Sequence, residues 1–373
     1  MIRKIHVENF KSIPNIDLDL GRINVLIGSN GSGKSNILEA IALAAAATQN
    51  RVDNEFLATR GIRLTENQFM QSAFEPLAKR EGCIHLSVQG NNNVEFDCQV
   101  LADTTATFPK WKPRYPLPPS NSLQSQDPAR ISDKIKSPGI IVGPLEFVYQ
   151  NPGTLTNFLV YAPENSALRT FQAEGQILPL GIRGEGLFAH LKALNSDTHR
   201  ERLLKIKESL TLIDWFETFD IPDHLSPGER SIRIRDRYLA EGALFDQRSA
   251  NEGFLYLLFY ITLFISPETP AFFSIDNIDS SLNPKLCIAL LQQMSRLAKE
   301  YDKQVILTTH NPAVLDGLDL HDDEQRLLVV DRNKDGHTRV HRIAPPKPVT
   351  GQLPVSLSEA FMRGYIGGLP KNF

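Results

Sequence analysis

The sequence predicts an α/β fold with a mixed, largely parallel central sheet, antiparallel strands at the N-terminus and an inserted, mainly helical lobe. Residues 23–27, INVLI, form a continuous apolar run that leads through a glycine-rich loop into an alanine-rich helix. FFSID at 272–276 and QVILTTH at 304–310 have the same apolar character, and a helical segment at 284–301 separates them. Strands that alternate with helices in this way are typical of parallel sheets.

These elements lie at the two ends of the chain, which predicts a composite domain interrupted by an insertion. We assign residues 1–50 and 230–343 to the composite head, residues 51–229 to the insertion and residues 344–373 to a C-terminal tail rich in Pro and Gly. Besides the helical lobe, the insertion is predicted to contain a hairpin and a Pro/Ser-rich loop, at residues 84–101 and 108–138.

Composition restricts the class of protein. The chain has 373 residues, 41% of them hydrophobic, and a formal net charge of -3. Its overall charge therefore does not indicate binding to nucleic acid. Its three cysteines have no metal-site spacing and indicate a reducing compartment. Met1 leads into a charged segment, and the apolar run at 253–265 is too short to span a bilayer. We therefore expect a cytoplasmic protein without membrane association.

The glycine-rich segment GSNGSGKS at residues 28–35 predicts a phosphate-binding loop, because it matches G-x-x-x-x-G-K-[ST] between a buried strand and a helix. Successive backbone N–H groups and the helix N-terminus favour an anion there. Lys34 is expected to neutralise the β- and γ-phosphates, and Ser35 to ligate Mg²⁺. The residues expected at the nucleotide are Asn30, Gly31, Ser32, Gly33, Lys34, Ser35 and Asn36.

Two strand ends supply further candidates. Asp276 closes the strand FFSID, where a carboxylate is placed to hold Mg²⁺ together with Ser35. His310 closes QVILTTH, and the carboxyl ends of parallel strands meet at the edge where ligands bind. We therefore predict that Asp276 is a metal residue and that His310 senses phosphate.

The segment SANEG at residues 249–253 directly precedes an apolar helix. Ser249 is expected to cap this helix, with Glu252 completing a capping box, and a hydroxyl at a helix N-terminus also suits an anion. The segment LSPGER at 225–230 resembles the signature of transporter-type ATPases more closely than SANEG does. We favour SANEG because LSPGER lies about fifty residues before Asp276 and two predicted strands intervene.

The order FKSI, phosphate loop, SANEG, FFSIDNID and TTH resembles ABC-type ATPases of the SMC/RecF/OLD group, especially compact prokaryotic members of anti-phage and toxin-like gene pairs. The resemblance is strong at both ends and loose in the middle. It implies an ABC-ATPase-like head with ATP and Mg²⁺, places Lys11 near phosphate, and makes His310 the switch histidine. It also implies that Ser249, Asn251 and Gly253 act on the ATP of a second subunit in a homodimer. Gln68 and Gln71 are both candidates for the glutamine that touches the metal or water.

Asn277 departs from the group's motif, which has a catalytic glutamate at this position. An amide cannot take up a proton, and general-base help is worth about 10²–10⁴-fold in rate. The substitution therefore predicts slow turnover, with Asn277 positioning water. Asp279 is a second candidate to accept the proton.

The leading hypothesis is thus an ATP-dependent dimerising switch, a slow ATPase that controls an effector or toxin protein, in prokaryotic anti-phage defence. No nuclease domain of the OLD type is expected, because little chain follows His310. The alternative is a RecF- or SMC-like ATPase of DNA repair or DNA-end sensing, although the net charge does not indicate DNA binding. A transporter ATPase fits least, and assembly beyond the dimer is left open.

Overall fold

A computed structural model describes most of the chain, and every structural statement below refers to the described residues. The predicted Pro/Ser-rich loop at 108–138 lies outside them except for residues 110–115. The described ranges are 1–75, 82–91, 94–103, 110–115, 140–150, 154–172, 175, 177–196, 199–222, 224–226, 228–345 and 355–369.

Strands and helices alternate along much of the chain. The strands are β1 Ile2–Phe10, β2 Ile13–Asp19, β3 Ile23–Ile27, β4 Cys83–Gly90, β5 Val94–Asp103, β6 Lys110–Arg114, β7 Ile140–Val142, β8 Val160–Tyr161, β9 Phe216–Asp220, β10 Arg233–Asp236, β11 Phe272–Ile275, β12 Gln304–Thr309, β13 Gln325–Arg332 and β14 Thr338–Ile343. The helices are α1 Lys34–Thr48, α2 Asn54–Thr59, α3 Asn67–Met70, α4 Pro144–Gln150, α5 Asn165–Thr170, α6 Leu187–Leu194, α7 Arg200–Ser209, α8 Glu252–Ile265, α9 Pro284–Glu300 and α10 Leu357–Met362, with short 3-10 helices at Leu210–Leu212 and Pro312–Gly317.

The central sheet has the strand order β14-β13-β3-β12-β11-β8. Strand β3 pairs in parallel with β12 on one side and with β13 on the other, and β12 pairs in parallel with β11. The hairpin partner β14 alone runs antiparallel, to β13. The predicted fold class, a mixed and largely parallel sheet in an α/β fold, is confirmed.

A second sheet, with the order β2-β1-β4-β5-β6, is antiparallel along this path, and β7 adds to β5 in parallel. Strands β1 and β2 are the predicted N-terminal strands, and β4 and β5 are the predicted hairpin. That hairpin extends the N-terminal sheet through β1, while β8 extends the central sheet through β11. Residues 51–229 therefore contribute strands to both sheets, and the division of the chain into domains stays a prediction.

Helix α1 lies between the two sheets, and this position explains its composition. Its apolar residues and those of β1, β2, β4 and β5 form one core with alternate residues of the central strands, including Leu26 and Ile306. Every residue of α1 after Asn36 is buried. A helix enclosed on all sides has no polar face, and alanine side chains let the two sheets approach closely.

The opposite face of the central sheet is covered by helices. The other set of alternate residues, such as Val25 and Leu307, packs with α8 and α9 in a second core. Helix α8 is buried from Phe254 to Ile265 and is contacted by α5 and α7. A small antiparallel pair, β9 with β10, lies outside the two larger sheets. Within the described part of the chain, no helix combines the length and the apolar character that crossing a bilayer requires.

Candidate nucleotide site

The loop between β3 and α1 is shaped by two close approaches. A Cβ atom on Gly28 would lie 2.0 Å from the carbonyl oxygen of Val330, and one on Gly33 would lie 2.1 Å from Thr338 Oγ1. Gly33 also has a φ of 112°, which L side chains rarely adopt. Glycine is therefore required at both positions because β13 and β14 press against the loop.

A chain of hydrogen bonds fixes the loop to the turn between β1 and β2. Asn36 Nδ2 donates to Ser12 Oγ at 2.7 Å, and Ser12 Oγ lies 2.7 Å from Thr338 Oγ1. Thr338 Oγ1 in turn donates to the carbonyl oxygen of Ser32 at 2.9 Å. Because Thr338 lies more than 300 residues from the loop, sequence reasoning missed it, and no local signal marks it.

The side chain of Lys34 is folded into the loop. Its Nζ donates to the carbonyl oxygens of Gly28 at 2.9 Å and Ser29 at 3.1 Å. Burial lowers the pKa of Lys34 to about 8, with the carboxylates of Asp276 and Asp279 acting in the opposite direction. A polyanion bound at the loop would raise this pKa again, because it favours the charged amine.

Ser35 and Asp276, the predicted metal pair, form a hydrogen bond with each other. Ser35 Oγ donates to Asp276 Oδ2 at 2.9 Å, and Thr308 Oγ1 donates to the other carboxylate oxygen. Thr308 Oγ1 also accepts the N–H of Asn277 at 2.9 Å, so it holds the end of β11. Thr308 was missed as a site residue, although the polar pair before His310 in TTH was a usable signal.

The loop and the acid suit a phosphate group and Mg²⁺. Hydroxyl and carboxylate oxygens are the ligands that Mg²⁺ prefers, and Ser35 with Asp276 offers both. Ser32 Oγ is buried and forms no hydrogen bond with any residue that the structure describes. Buried hydroxyls normally have a partner, so this atom marks a place for a ligand.

His310 and Asp279 lie at the same edge of the sheet. Asp279 Oδ1 accepts hydrogen bonds from Thr309 Oγ1 at 2.7 Å and from the N–H of His310 at 3.4 Å. Burial and the charge of Lys34 lower the pKa of His310, with the carboxylates of Asp279 and Asp276 and the backbone of Gly28 acting in the opposite direction. The neutral imidazole is thus held beside the phosphate loop, and Asp279 positions it.

Asn277 is exposed and adopts a left-handed conformation with a φ of 57°. Asparagine tolerates this region better than most residues. Its carbonyl oxygen accepts from Ser280 Oγ at 2.9 Å, but its side chain bonds none of the residues that the structure describes. The amide is thus available to bind water or phosphate.

Lys11 engages α1 in this structure. Its Nζ donates to Glu39 Oε2 and to the carbonyl oxygen of Arg63, the latter at 2.8 Å. Burial lowers the pKa of Lys11, with Glu39 opposing the shift. Glu39 lies one helical turn after Ser35, so its bond with Glu39 places Lys11 close to the phosphate loop. The contact of Lys11 with phosphate stays a prediction.

The choice between Gln68 and Gln71 stays open. The carbonyl of Met70 accepts the N–H of Lys11 at 3.0 Å, which places the segment that carries both glutamines against the β1–β2 turn. The side chain of Gln68 lies outside the described residues.

The expected cap of α8 was wrong. Asn251, not Ser249, is the N-cap, because Asn251 Oδ1 accepts the N–H of Phe254 at 2.8 Å. Ser249 instead donates its N–H to Asp246 Oδ1 at 3.2 Å and lies outside the helix. With Asn251 as its cap, the helix begins two residues later than a cap at Ser249 would place it.

Glu252 does not close a capping box on Ser249. Its carboxylate accepts from Asn165 Nδ2 and from Ser281 Oγ, both at 2.6 Å. A Cβ atom on Gly253 would lie 3.3 Å from the carbonyl oxygen of Ser281. The start of α8 is thus attached to the loop that follows Asp276.

The predicted site residues therefore form two groups. Lys34, Ser35, Asp276 and His310 lie together at one edge of the central sheet. Asn251 and Gly253 lie at the start of α8 and Ser249 lies just before it, and within the described chain no hydrogen bond joins these three residues to the phosphate loop.

The strain at Gly33 yields a test of this geometry. We expect Gly33→Ala to lower the free energy of unfolding by about 1–3 kcal/mol, because alanine is strained at this φ and its Cβ displaces Thr338. Gly31→Ala is the matched control: Gly31 has a φ of 73° but no atom within 4 Å of an added Cβ. Urea denaturation measures both. Equal losses would contradict the close approach of Thr338.

Family models match the two parts of the chain that carry the site, and curated relatives match shorter segments. A model described as AAA ATPase domain matches residues 1–89, and one described as AAA domain, putative AbiEii toxin, Type IV TA system, matches residues 166–316. An OLD nuclease of Thermus scotoductus is 32% identical over 94 residues, which are 22% of this chain and 18% of the relative. A RecF DNA replication and repair protein of Clostridium acetobutylicum is 33% identical over 55 residues, 14% of this chain and 15% of the relative. The chain thus matches less than a fifth of the length of either relative.

Solved structures share the fold over most of the chain. The SMC head domain from Thermotoga maritima superposes with a TM-score of 0.51 at 15% identity, covering 92% of this chain and 99% of that one. An Smc head bound to the C-terminal winged-helix domain of ScpA gives a TM-score of 0.57 at 14% identity, covering 92% and 98%. These structures show the fold, and together with the two family models and the curated relatives they support the predicted resemblance to ABC-type ATPases of the SMC/RecF/OLD-like group.

Proposed function

We propose that the chain binds Mg-ATP at residues 28–35, hydrolyses it slowly, and acts as a dimerising switch for a partner effector. The observation that carries the proposal is the hydrogen-bonded set Ser35, Asp276 and Thr308 beside Lys34, with Asn277 where the family motif has a glutamate. The set accounts for nucleotide binding, and Asn277 accounts for slow turnover.

Each side chain has a role in the proposed chemistry. Lys34 balances the charge of the β- and γ-phosphates, and backbone N–H groups of the loop bind their oxygens. Ser35 and Asp276 would hold Mg²⁺, which supplies further charge neutralisation when bound. His310, kept neutral beside Lys34, forms a hydrogen bond with the γ-phosphate or with the attacking water.

Turnover is slow because no proton acceptor is ready at the position of Asn277. The amide orients water but does not take its proton, and the missing general base accounts for about 10²–10⁴-fold in rate. Asp279, the second candidate base, already uses Oδ1 to position Thr309 and His310. In this proposal the main role of Asp279 is to position Thr309 and His310. It accepts a proton only if water reaches its second carboxylate oxygen, Oδ2.

Dimerisation is supported by the position of the second group of residues. Ser249 is exposed, and Asn251 and Gly253 lie at the start of the 14-residue helix α8, whose N-terminus favours an anion. Among the described residues, no hydrogen bond connects these three residues to the phosphate loop of their own chain. We therefore propose that their ligand is the ATP bound by a second copy. Two copies would then enclose two nucleotides.

The effector is the least defined part of the proposal. Its support is the description of the matched family model, a putative AbiEii toxin of a type IV toxin–antitoxin system. Because this description belongs to a model that matches the chain itself, we propose that the partner effector is the other protein of such a pair, that the system serves anti-phage defence in the cytoplasm, and that residues 51–229 and the tail contact the partner.

Light scattering with ATP, ADP and no nucleotide tests the switch. The wild-type protein is expected to double in mass with ATP and Mg²⁺. Lys34→Ala should abolish both nucleotide binding and the mass change, because the buried amine that faces the phosphates is lost. Ser249→Arg should bind ATP as a monomer but fail to dimerise, since arginine obstructs the shared site. A wild-type mass that is the same in all three conditions would contradict dimerisation, and a separate nucleotide-binding measurement would still test the loop.

Replacing Asn277 tests the missing base. Asn277→Glu is expected to raise phosphate release by at least tenfold, because a carboxylate then faces the attacking water. Asn277→Gln is the matched control, since it has the same length and the same backbone strain at a φ of 57° but no basic group. Equal rates for the two variants would show that closure or Asp279, not the side chain at 277, limits turnover.

The alternative function, DNA repair or DNA-end sensing, is favoured by the RecF relatives. It predicts DNA retention on filters that falls steeply as salt rises, because bound counterions are released. Retention with ATP at low salt would support this alternative. If no DNA is retained even at low salt, the alternative is wrong.

A further inference from the structure

The solvent-facing side of the antiparallel sheet carries two imidazoles around one carboxylate. Glu8 of β1 is paired with His85 of β4, and His6 lies one alternation earlier on the same face of β1. One ligand atom from each of the three residues lies within 4.8 Å of the others. Their side chains are 24–34% exposed, so the cluster is half-buried and open to small ions.

Each imidazole is held by a second carboxylate on its outer nitrogen. His6 Nδ1 lies 2.8 Å from Asp17 Oδ1 on β2, and His85 Nε2 lies 2.9 Å from Asp97 Oδ1 on β5. A carboxylate in this position holds an N–H, so the opposite ring nitrogen is free to bind a metal ion once it loses its own proton. The opposite nitrogens, His6 Nε2 and His85 Nδ1, both face Glu8.

The inner distances match those between ligands of one metal ion. His6 Nε2 lies 3.1 Å from Glu8 Oε1, and His85 Nδ1 lies 3.4 Å from Glu8 Oε2. A tetrahedral ion with bonds of 2.0–2.2 Å separates its ligand atoms by about 3.3 Å. Each distance from an imidazole nitrogen to a carboxylate oxygen of Glu8 is thus close to the separation that a metal ion requires.

Charge and chemistry select the class of ion. With neutral imidazoles, the carboxylates of Glu8, Asp17 and Asp97 leave negative charge that a divalent cation would offset. Two imidazoles and one carboxylate suit Zn²⁺ and its transition-metal neighbours, whereas Mg²⁺ prefers oxygen ligands throughout. The cluster therefore differs in selectivity from the Ser35–Asp276 pair.

We propose that His6, Glu8 and His85 bind one divalent transition-metal ion, with Zn²⁺ as the best match. Asp17 and Asp97 hold the two rings, and a fourth position faces solvent. The ion would join β1 to β4 next to the turn that carries Lys11 and Ser12. It is a structural site that fixes this turn, which packs on α1 and the phosphate loop.

Titration of the full, chelator-treated chain with Zn²⁺ alone tests the proposal. We expect one ion bound per chain, a higher midpoint of thermal unfolding, and tetrahedral absorption bands when Co²⁺ replaces Zn²⁺. Glu8→Gln and His85→Gln should each weaken binding by at least tenfold and abolish the bands. Asp97→Asn retains all three ligands, and we expect binding about tenfold or more weaker, because the ring of His85 loses its partner.

Two controls separate this site from adventitious binding. His321→Gln removes an exposed histidine outside the cluster and should leave Zn²⁺ affinity unchanged. Cys83→Ser removes the thiol two residues before His85 and should also leave it unchanged. Absence of stoichiometric binding, or equal affinity in wild type, Glu8→Gln and His85→Gln, would overturn the proposal. So would loss of binding in Cys83→Ser. Circular dichroism confirms that each variant is folded.

Discussion

The parallel pairing of β12 with β3 and with β11 is the constraint on which the candidate site depends. It aligns the carboxyl ends of three strands from opposite ends of the chain, so that Ser35 and Asp276 form a hydrogen bond across 241 residues of sequence. The same pairing delivers His310 beside the phosphate loop. Only the sheet brings these side chains together, because each of them follows a different strand or begins a helix.

A second constraint is the narrow space between the two sheets. Helix α1 occupies it with alanines, and its one buried acid, Glu39, is only 2% exposed. A carboxylate in that position needs a cation, which Lys11 supplies from the β1–β2 turn. The turn, the helix and the phosphate loop are thus one packed unit, and the hydrogen bonds from Asn36 through Ser12 to Thr338 extend it to β14.

Sequence patterns were informative wherever the determinant is local. The phosphate loop, the strand that ends at Asp276 and the fold class follow from short motifs and from apolar periodicity. Thr338 and the hairpin's place beside β1 depend on contacts between distant segments, which no local pattern encodes. Ser249 shows a different limit: it was the predicted cap, but Asn251, two residues later, accepts the N–H of Phe254, while Ser249 bonds Asp246 outside the helix.

The contact between Glu252 and Ser281 connects the two groups of site residues within one chain. It joins the start of α8 to the loop that begins at Asp276, so a displacement of either segment strains the other. In the proposed dimer, the start of α8 would face the nucleotide of the second copy. The loop that begins at Asp276 would face the nucleotide bound by its own chain. The occupancy of one site would then alter the affinity of the other, and thermodynamic linkage requires the effect to be equal in both directions. In that dimer, the hydrogen bond from Ser281 to Glu252 would be one physical link through which the two nucleotide sites are coupled.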